Sequence, residues 1–319
     1  MTTVIRNASL VGMMSAAGAS MMFSVNDVSI KFLSGDYALH QVVLVRSLVA
    51  MAVLLGILVP LQGGFSMLRT RRPFMHMWRG AAVLFANLCF FMALATMPIA
   101  DAVAIFFVSP LLVTVFSVVF LREYVGPRRW AAVAIGLVGV LIVLRPGTGA
   151  FQPASLLVLA AATGYATLHT LTRRIGGTES AVAMAFYIQV MFLLVCSVMG
   201  LVAGDGRFAG HDNASLDFLL RGWVWPAPDD WLIFFIVGAT SALGGFLVSQ
   251  AYKLCESGLA APFEYIAMPM AIFWGVTVFG EWPDFWAWAG ILLIVSGGLY
   301  MVWRETLAAR PVPAPGRRG

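Results

Sequence analysis

Ten apolar runs, each near the length needed to cross a lipid bilayer, most constrain what this 319-residue chain can fold into. A spanning helix needs about 20 mostly apolar residues, and only helices or closed barrels satisfy their backbone groups in lipid. The sequence therefore predicts an all-α integral membrane protein with ten transmembrane helices. The runs lie near Leu10–Leu33, Gln41–Leu61, Phe74–Thr96, Asp101–Phe120, Arg129–Leu144, Pro153–Thr172, Ala181–Ala203, Trp231–Leu254, Leu259–Phe279 and Phe285–Trp303.

Composition supports a membrane protein over a soluble one. Hydrophobic residues make up 61% of the chain and charged residues 11%, whereas soluble domains are about a quarter charged. The first run, Leu10–Leu33, follows Arg6 as a signal peptide would. It has full spanning length, so it is predicted to be an uncleaved first helix.

The positive net charge of +5 reflects membrane topology rather than nucleic-acid binding. If the N-terminus is cytoplasmic, nearly all loop arginines fall inside, and only Arg145, Arg207 and Arg221 fall outside. This alternation predicts cytoplasmic N- and C-termini in a bacterial-type inner membrane. The long segment Gly204–Asp230 then lies outside.

No metal, cofactor or catalytic motif stands out in the sequence. Cys89, Cys196 and Cys255 are far apart, and the chain has no CxxC or Cys/His cluster. It also lacks a P-loop or GxGxxG phosphate cradle. We therefore expect neither metal nor cofactor, and no enzyme activity. Active transport would have to use an ion gradient or exchange.

An internal repeat relates the two halves. Pro110 is followed by an apolar stretch that ends at Glu123, and Pro269 by a similar stretch that ends at Glu281. Five helices separate the copies, so they would run in opposite directions. This inverted repeat is common in secondary carriers, whose substrates bind near the midplane.

The chain resembles the EamA-type transporters of the drug/metabolite transporter superfamily. The resemblance covers Leu10 to Trp303, and its motifs are N-D-V-S-I-K-F-L-S-G-D-Y, V-R-S-L, A-P-F-E-Y and F-G-E-W-P-D. It implies two inverted five-helix repeats, 1–150 and 151–303, around a central cavity that works by alternating access. Residues 304–319 would form a disordered cytoplasmic tail. Similar family members include amino-acid exporters and importers of riboflavin or S-adenosylmethionine.

Charged residues within the predicted spans are the main site candidates, because charges in lipid normally face a partner or a cavity. Asp27 and Lys31 share one face of the first helix by their i,i+4 spacing, with Asp27 the deeper of the two. Arg46 lies a short way into the second helix from the outside. These residues could anchor a charged substrate. An Asp27–Arg46 or Asp27–Lys31 ion pair is the structural alternative.

Glu264 is the leading candidate for substrate binding or proton coupling. It lies in an apolar run between Pro262 and Pro269, nearer the cytoplasm than the midplane, so an inner-gate role is equally open. Pairing with Arg79 is the structural alternative. Tyr265 and Trp274 would add aromatic lining.

Four polar residues are weaker candidates. Lys31 can snorkel to the interface, and Gln250 and Asn87 can hydrogen-bond between helices. His169 is either a structural histidine or a proton relay. Together these features predict a secondary-active carrier of a small organic metabolite. Its partners would be that metabolite, a coupling proton or counter-substrate, and the bilayer, in a monomer or homodimer. The alternative is a non-transporting membrane scaffold or an intramembrane enzyme.

Overall fold

The computed structural model describes residues 2–122, 126–148, 151–175, 179–254 and 263–308, and within these ranges the chain is helical and has no strand. The helix α2 continues through a π-helical turn, Leu54–Leu58, into Val59–Leu61. In chain order the helices are α1 Thr2–Leu33, α2 Leu39–Val53, α3 Pro73–Leu94, α4 Ile99–Phe106, α5 Ser109–Leu121, α6 Pro127–Leu144, α7 Ala154–Ile175, α8 Ala181–Ala203, α9 Ala214–Leu220, α10 Trp231–Leu254, α11 Ala267–Phe279 and α12 Phe285–Ala308.

Helix length and apolar character make the chain a multi-pass membrane protein. Large apolar side chains face outward along the helices, as Leu48 and Leu201 do at 54% and 83% exposure, which suits contact with lipid rather than water. The count of ten spans stays a prediction. Within the described ranges six segments meet the criteria for a span: Leu39–Leu61, Pro73–Leu94, Ile99–Phe120, Ala154–Thr172, Ala181–Ala203 and Pro228–Val248.

The fourth apolar run is a broken helix rather than the continuous one that was predicted. A turn at Phe107 and Val108 separates α4 from α5. Pro110 is the second residue of α5, where its missing N–H breaks no helical hydrogen bond. A similar turn at Tyr265 and Ile266 precedes α11. The rings of Phe107 and Tyr265 stack with centroids 4.8 Å apart, so the two breaks face each other.

Helices from before residue 150 pack against helices from after it. The contacting pairs are α1 with α10, α2 with α8, α3 with α7, α4 with α11, and α6 with α12. Asn26 links α1 to α10, because its buried Nδ2 donates a hydrogen bond to the Val237 carbonyl at 2.9 Å. Residues before and after position 150 therefore form the protein interior together.

The segment 204–230, here called the strap, is bound to the turn between α1 and α2. The Tyr37 hydroxyl donates to Asp230 at 2.5 Å and accepts from the Ala227 N–H at 2.9 Å. Gln41 exchanges two hydrogen bonds with the backbone of Val224. Because the strap contains the short helix α9 and buries Phe218 completely, it is an ordered part of the fold.

Several sequence-based predictions fall partly or wholly outside the described residues: those on Glu123, Cys255 and Pro262, and on the tail beyond Ala308. Cys89 and Cys196 are both buried free thiols, in keeping with their interpretation as small apolar residues. The helix α12 runs past Trp303 to Ala308, so the first part of the segment predicted as a disordered tail is helical.

Candidate functional site

Arg46 is a fully enclosed cation in the interior of the bundle. Its side chain lies on α2 and is only 2% exposed. The guanidinium carbon lies over the ring of Phe192 on α8 at 4.7 Å and over the ring of Phe91 on α3 at 5.5 Å. Such cation–π contacts stabilise a desolvated cation by about 2 kcal/mol. Two of its nitrogens, Nε and Nη2, have no hydrogen-bond partner within the described part of the chain.

Asp27 on α1 acts electrostatically on Arg46, as does the buried thiol of Cys196 on α8. The two residues lie at similar depth, since Asp27 precedes the end of α1 at Leu33 by nearly two turns and Arg46 follows the start of α2 at Leu39 by two turns. They form no ion pair within 4.0 Å. The structure thus brings the two predicted residues into electrostatic range without joining them.

Other enclosed polar atoms accompany this pair. Ser24 lies one turn before Asp27, Ser47 follows Arg46, and Gln189 lies one turn before Phe192. The hydroxyl oxygens of both serines and Oε1 of Gln189 are buried without a hydrogen-bond partner in the described residues. Buried polar atoms are normally satisfied, so these three atoms are exceptions among the described residues.

Glu264 and Tyr265 lie at the break before α11, next to α4 and α7. Tyr265 is buried on Phe107, and Glu264 is half-buried. The charge of Glu264 acts on the hydroxyl groups of Tyr265 and Tyr165. Sequence reasoning missed Tyr165 at this place, because Tyr165 and Glu264 are far apart in sequence and approach each other only in the folded chain.

Trp274 occupies the next part of α11. Its indole nitrogen is buried without a hydrogen-bond partner in the described residues, and its ring packs on Phe273 at 4.9 Å. Asn87 and Gln250 are half-buried on α3 and α10, and their predicted roles stay predictions.

Lys31 pairs across the molecule rather than with Asp27. Its ammonium group donates to the two oxygens of Glu281 at 2.6 and 2.9 Å and to the Met97 carbonyl at 2.8 Å. Glu281 also accepts from the Ile99 N–H at 3.2 Å. This geometry gives Lys31 a structural role and excludes the Asp27–Lys31 pair from this conformation.

At the opposite end of the bundle lies a buried polar cluster, of which sequence reasoning had singled out only Arg79 and His169. The His76 ring stacks on Tyr187 at 4.6 Å and its Nε2–H donates to Glu179 at 3.2 Å. Arg79 donates from Nε to Thr172 at 2.9 Å. His169, on α7 with Thr172, packs edge-on against Tyr165 at 4.4 Å. His76 precedes Arg79 by one helical turn, and that spacing was the available signal.

Comparison with known proteins relates nearly the whole chain to membrane transporters. The model of the EamA-like transporter family matches twice, over residues 10–145 and 152–303. The chain is 25% identical over 282 residues to an S-adenosylmethionine uptake transporter of Rickettsia prowazekii, covering 88% of this chain and 89% of the relative. It is 27% identical over 296 residues to a riboflavin transporter of Vibrio cholerae, covering 92% and 93%.

A solved structure shares the fold. That crystal structure of a protein superposes with a TM-score of 0.62 and covers 96% of this chain and 98% of its own. Its sequence identity to this chain is 21%, so the likeness concerns the fold alone.

Proposed function

Because the chain belongs to the EamA-like transporter family, we propose that it is a secondary-active carrier of a small organic metabolite. The membership confirms the family resemblance inferred from the sequence motifs. The observation that carries the proposal is the enclosed Arg46 beside Asp27, since charges within a membrane protein are costly and mark substrate or ion pathways.

The carrier would work by alternating access between two inverted five-helix repeats, 1–150 and 151–303. The packing of α1 on α10 and of α3 on α7 supports this arrangement, because each pairs the first helix of one repeat with the third of the other. The facing breaks at Phe107 and Tyr265 support it as well, since discontinuous helices flank the binding site in many carriers.

Both relatives suggest candidate substrates, and these differ in chemistry. S-adenosylmethionine carries an ammonium group and a carboxylate, whereas riboflavin carries neither. The substrate site proposed here comprises Asp27, Arg46, Glu264, Tyr265 and Trp274, in a bacterial inner membrane with both termini cytoplasmic. A proton or a counter-substrate would drive the cycle.

Flux into proteoliposomes tests the function directly. Purified protein reconstituted with unlabelled S-adenosylmethionine or riboflavin inside should take up external radiolabelled compound by exchange. An untargeted metabolite comparison of cells with and without the protein widens the search. If neither measurement reveals any transported compound, the carrier proposal fails, and the result favours a membrane scaffold or an intramembrane enzyme.

The carboxylate of Glu264 should be needed for coupling. Glu264→Gln removes the charge near Tyr165 and Tyr265, so we expect uptake, or its pH dependence, to be lost while the protein remains inserted. Glu264→Asp keeps the acid and should retain part of the activity. Uptake in the glutamine variant with the original rate and pH profile would remove Glu264 from the mechanism.

A further inference from the structure

We propose that the Nε–Nη2 edge of Arg46 binds a carboxylate of the transported molecule and that Asp27 receives a positive group close to that carboxylate. The substrate class is then zwitterionic, with an amino-acid-like head. This inference rests on the proposed function and specifies which chemical group the site recognises.

The geometry of the guanidinium carries the first step. Nε and Nη2 are the two nitrogens whose N–H bonds point in parallel from one edge, and that edge gives two hydrogen bonds to a planar carboxylate. In Arg46 these are the two nitrogens that are buried without a partner in the described residues. An unpaired edge of this shape matches one carboxylate better than two separate acceptors.

Burial makes the unpaired edge costly. A buried donor without a partner destabilises a protein by about 1–3 kcal/mol, and more when it is charged. The rings of Phe91 and Phe192 hold the guanidinium in place, but they offer no oxygen or nitrogen to its N–H groups. A bound carboxylate would supply both acceptors and also neutralise the charge.

Arg79 shows how an arginine with a structural role differs. It is almost as buried, at 4% exposure, but its Nε donates to Thr172 and its Nη1 to His76. The protein therefore satisfies one enclosed arginine with its own side chains and leaves an edge of the other unpaired. That contrast within one molecule favours a ligand at Arg46.

Asp27 supplies the second half of the specificity. It is half-buried on α1, lies within electrostatic range of Arg46, and forms no ion pair with it within 4.0 Å. A molecule that carries a carboxylate and an ammonium group a few bonds apart satisfies both residues at once. A neutral molecule without a carboxylate would leave the Nε–Nη2 edge without its two acceptors, and a simple anion would leave Asp27 without a donor.

Matched ligands on the unaltered full-length protein provide the test. The probes are L-methionine and L-methioninamide, L-tryptophan and L-tryptophanamide, and S-adenosylmethionine and its decarboxylated form, with riboflavin as a carboxylate-free reference. Binding is measured by ligand-induced thermal stabilisation and by competition for uptake in proteoliposomes. We expect at least one free acid to bind about tenfold or more better than its carboxyl-free partner.

Variants then assign the preference to Arg46. Arg46→Lys keeps the charge but loses the two-pronged edge, so the preference for the acid should fall about tenfold or more. Asp27→Asn should weaken the binding of zwitterions and should change the binding of a deaminated acid much less. Arg79→Lys is the matched control: it removes the bond to Thr172 and should leave the acid preference unchanged.

The outcomes separate this inference from the function on which it rests. If riboflavin or another carboxylate-free compound is transported and no acid binds better than its partner, the carboxylate site is wrong and the carrier stands. The carboxylate site is equally wrong if Arg46→Lys remains folded and keeps the full preference. If no compound binds or crosses the membrane, both proposals fail.

Discussion

At the scale of single residues, Arg46 differs from Lys31 and Arg79, because one edge of its guanidinium has no hydrogen-bond partner among the described residues. Lys31 has Glu281 and a backbone carbonyl around its ammonium group. Its partner could not be predicted from spacing along α1, because Glu281 comes from the far end of the chain. The i,i+4 rule gives neighbours on one helix only.

Breaking the Lys31–Glu281 pair should lower stability measurably. Glu281→Gln leaves the ammonium group, whose side chain is 10% exposed, without its counter-charge. We expect the free energy of unfolding to fall by about 1–3 kcal/mol, measured by denaturant titration in mixed micelles. Asp205→Asn is the control, because its pair with Arg207 is solvent-exposed and should contribute much less to stability. Equal losses in the two variants would contradict the structural role of Lys31.

At the scale of elements, the close contact of α6 and α12 depends on two glycines. A Cβ on Gly139 would lie 2.7 Å from Ile294 Cγ1, and one on Gly290 would lie 2.8 Å from the Gly139 carbonyl and also press on Val143. Small residues at such crossings let helix backbones approach, which is the main source of packing energy between helices in lipid.

Gly290→Ala should therefore separate α6 from α12. We expect a loss of about 1–3 kcal/mol, because the added methyl group meets backbone that cannot move aside. Gly56→Ala, where a Cβ has nothing within 4 Å, should change stability by less than about 0.5 kcal/mol. The difference is measured by heating both variants in detergent and recording the fraction of protein that remains monodisperse at each temperature. A stable Gly290 variant would show that this crossing is looser than described.

The elements also show what sequence alone could predict. Apolar runs located α3, α7 and α8, because a spanning helix is a local matter of length and hydropathy. The break at Phe107 and Val108 was missed, since Pro110 alone does not say whether a helix bends or restarts. Of the candidate site, Asp27 and Arg46 were found from charge in apolar sequence. The stacking of Phe107 on Tyr265 and the rings of Phe91 and Phe192 over Arg46 depend on packing between helices distant in sequence.

At the scale of the whole molecule, hydrogen bonds and ion pairs between side chains are concentrated at the two ends of the bundle. One end has the strap, the Lys31–Glu281 pair and the ion pair of Arg145 with Asp284 at 2.7 Å. The Ala287 N–H and Arg145 hold the pKa of Asp284 below its ordinary value. The other end has the His76–Glu179 cluster. The positive-inside pattern predicts that the strap end faces away from the cytoplasm.

Cysteine labelling tests that orientation. Asp212→Cys places a thiol on the exposed strap, and Ser66→Cys places one on the exposed turn between α2 and α3. In intact cells a membrane-impermeant maleimide should label the first variant, and label the second only after the membrane is opened. The unaltered chain, with its native cysteines, gives the background. Labelling of both variants from the same side, or in the reverse order, would refute the predicted topology.

The enclosure of Arg46 has a consequence for biosynthesis. Inserting an arginine at the centre of a helix costs about 2.5–3.5 kcal/mol, and the ring of Phe192 that covers it belongs to the second half of the chain. At about 5–20 residues per second, the ribosome leaves α2 in the membrane for many seconds before α8 emerges. During that interval only Phe91 and Asp27, among the neighbours described above, are present beside the guanidinium. A truncated first half would keep Arg46 without the ring of Phe192 and should be a target for quality-control proteolysis.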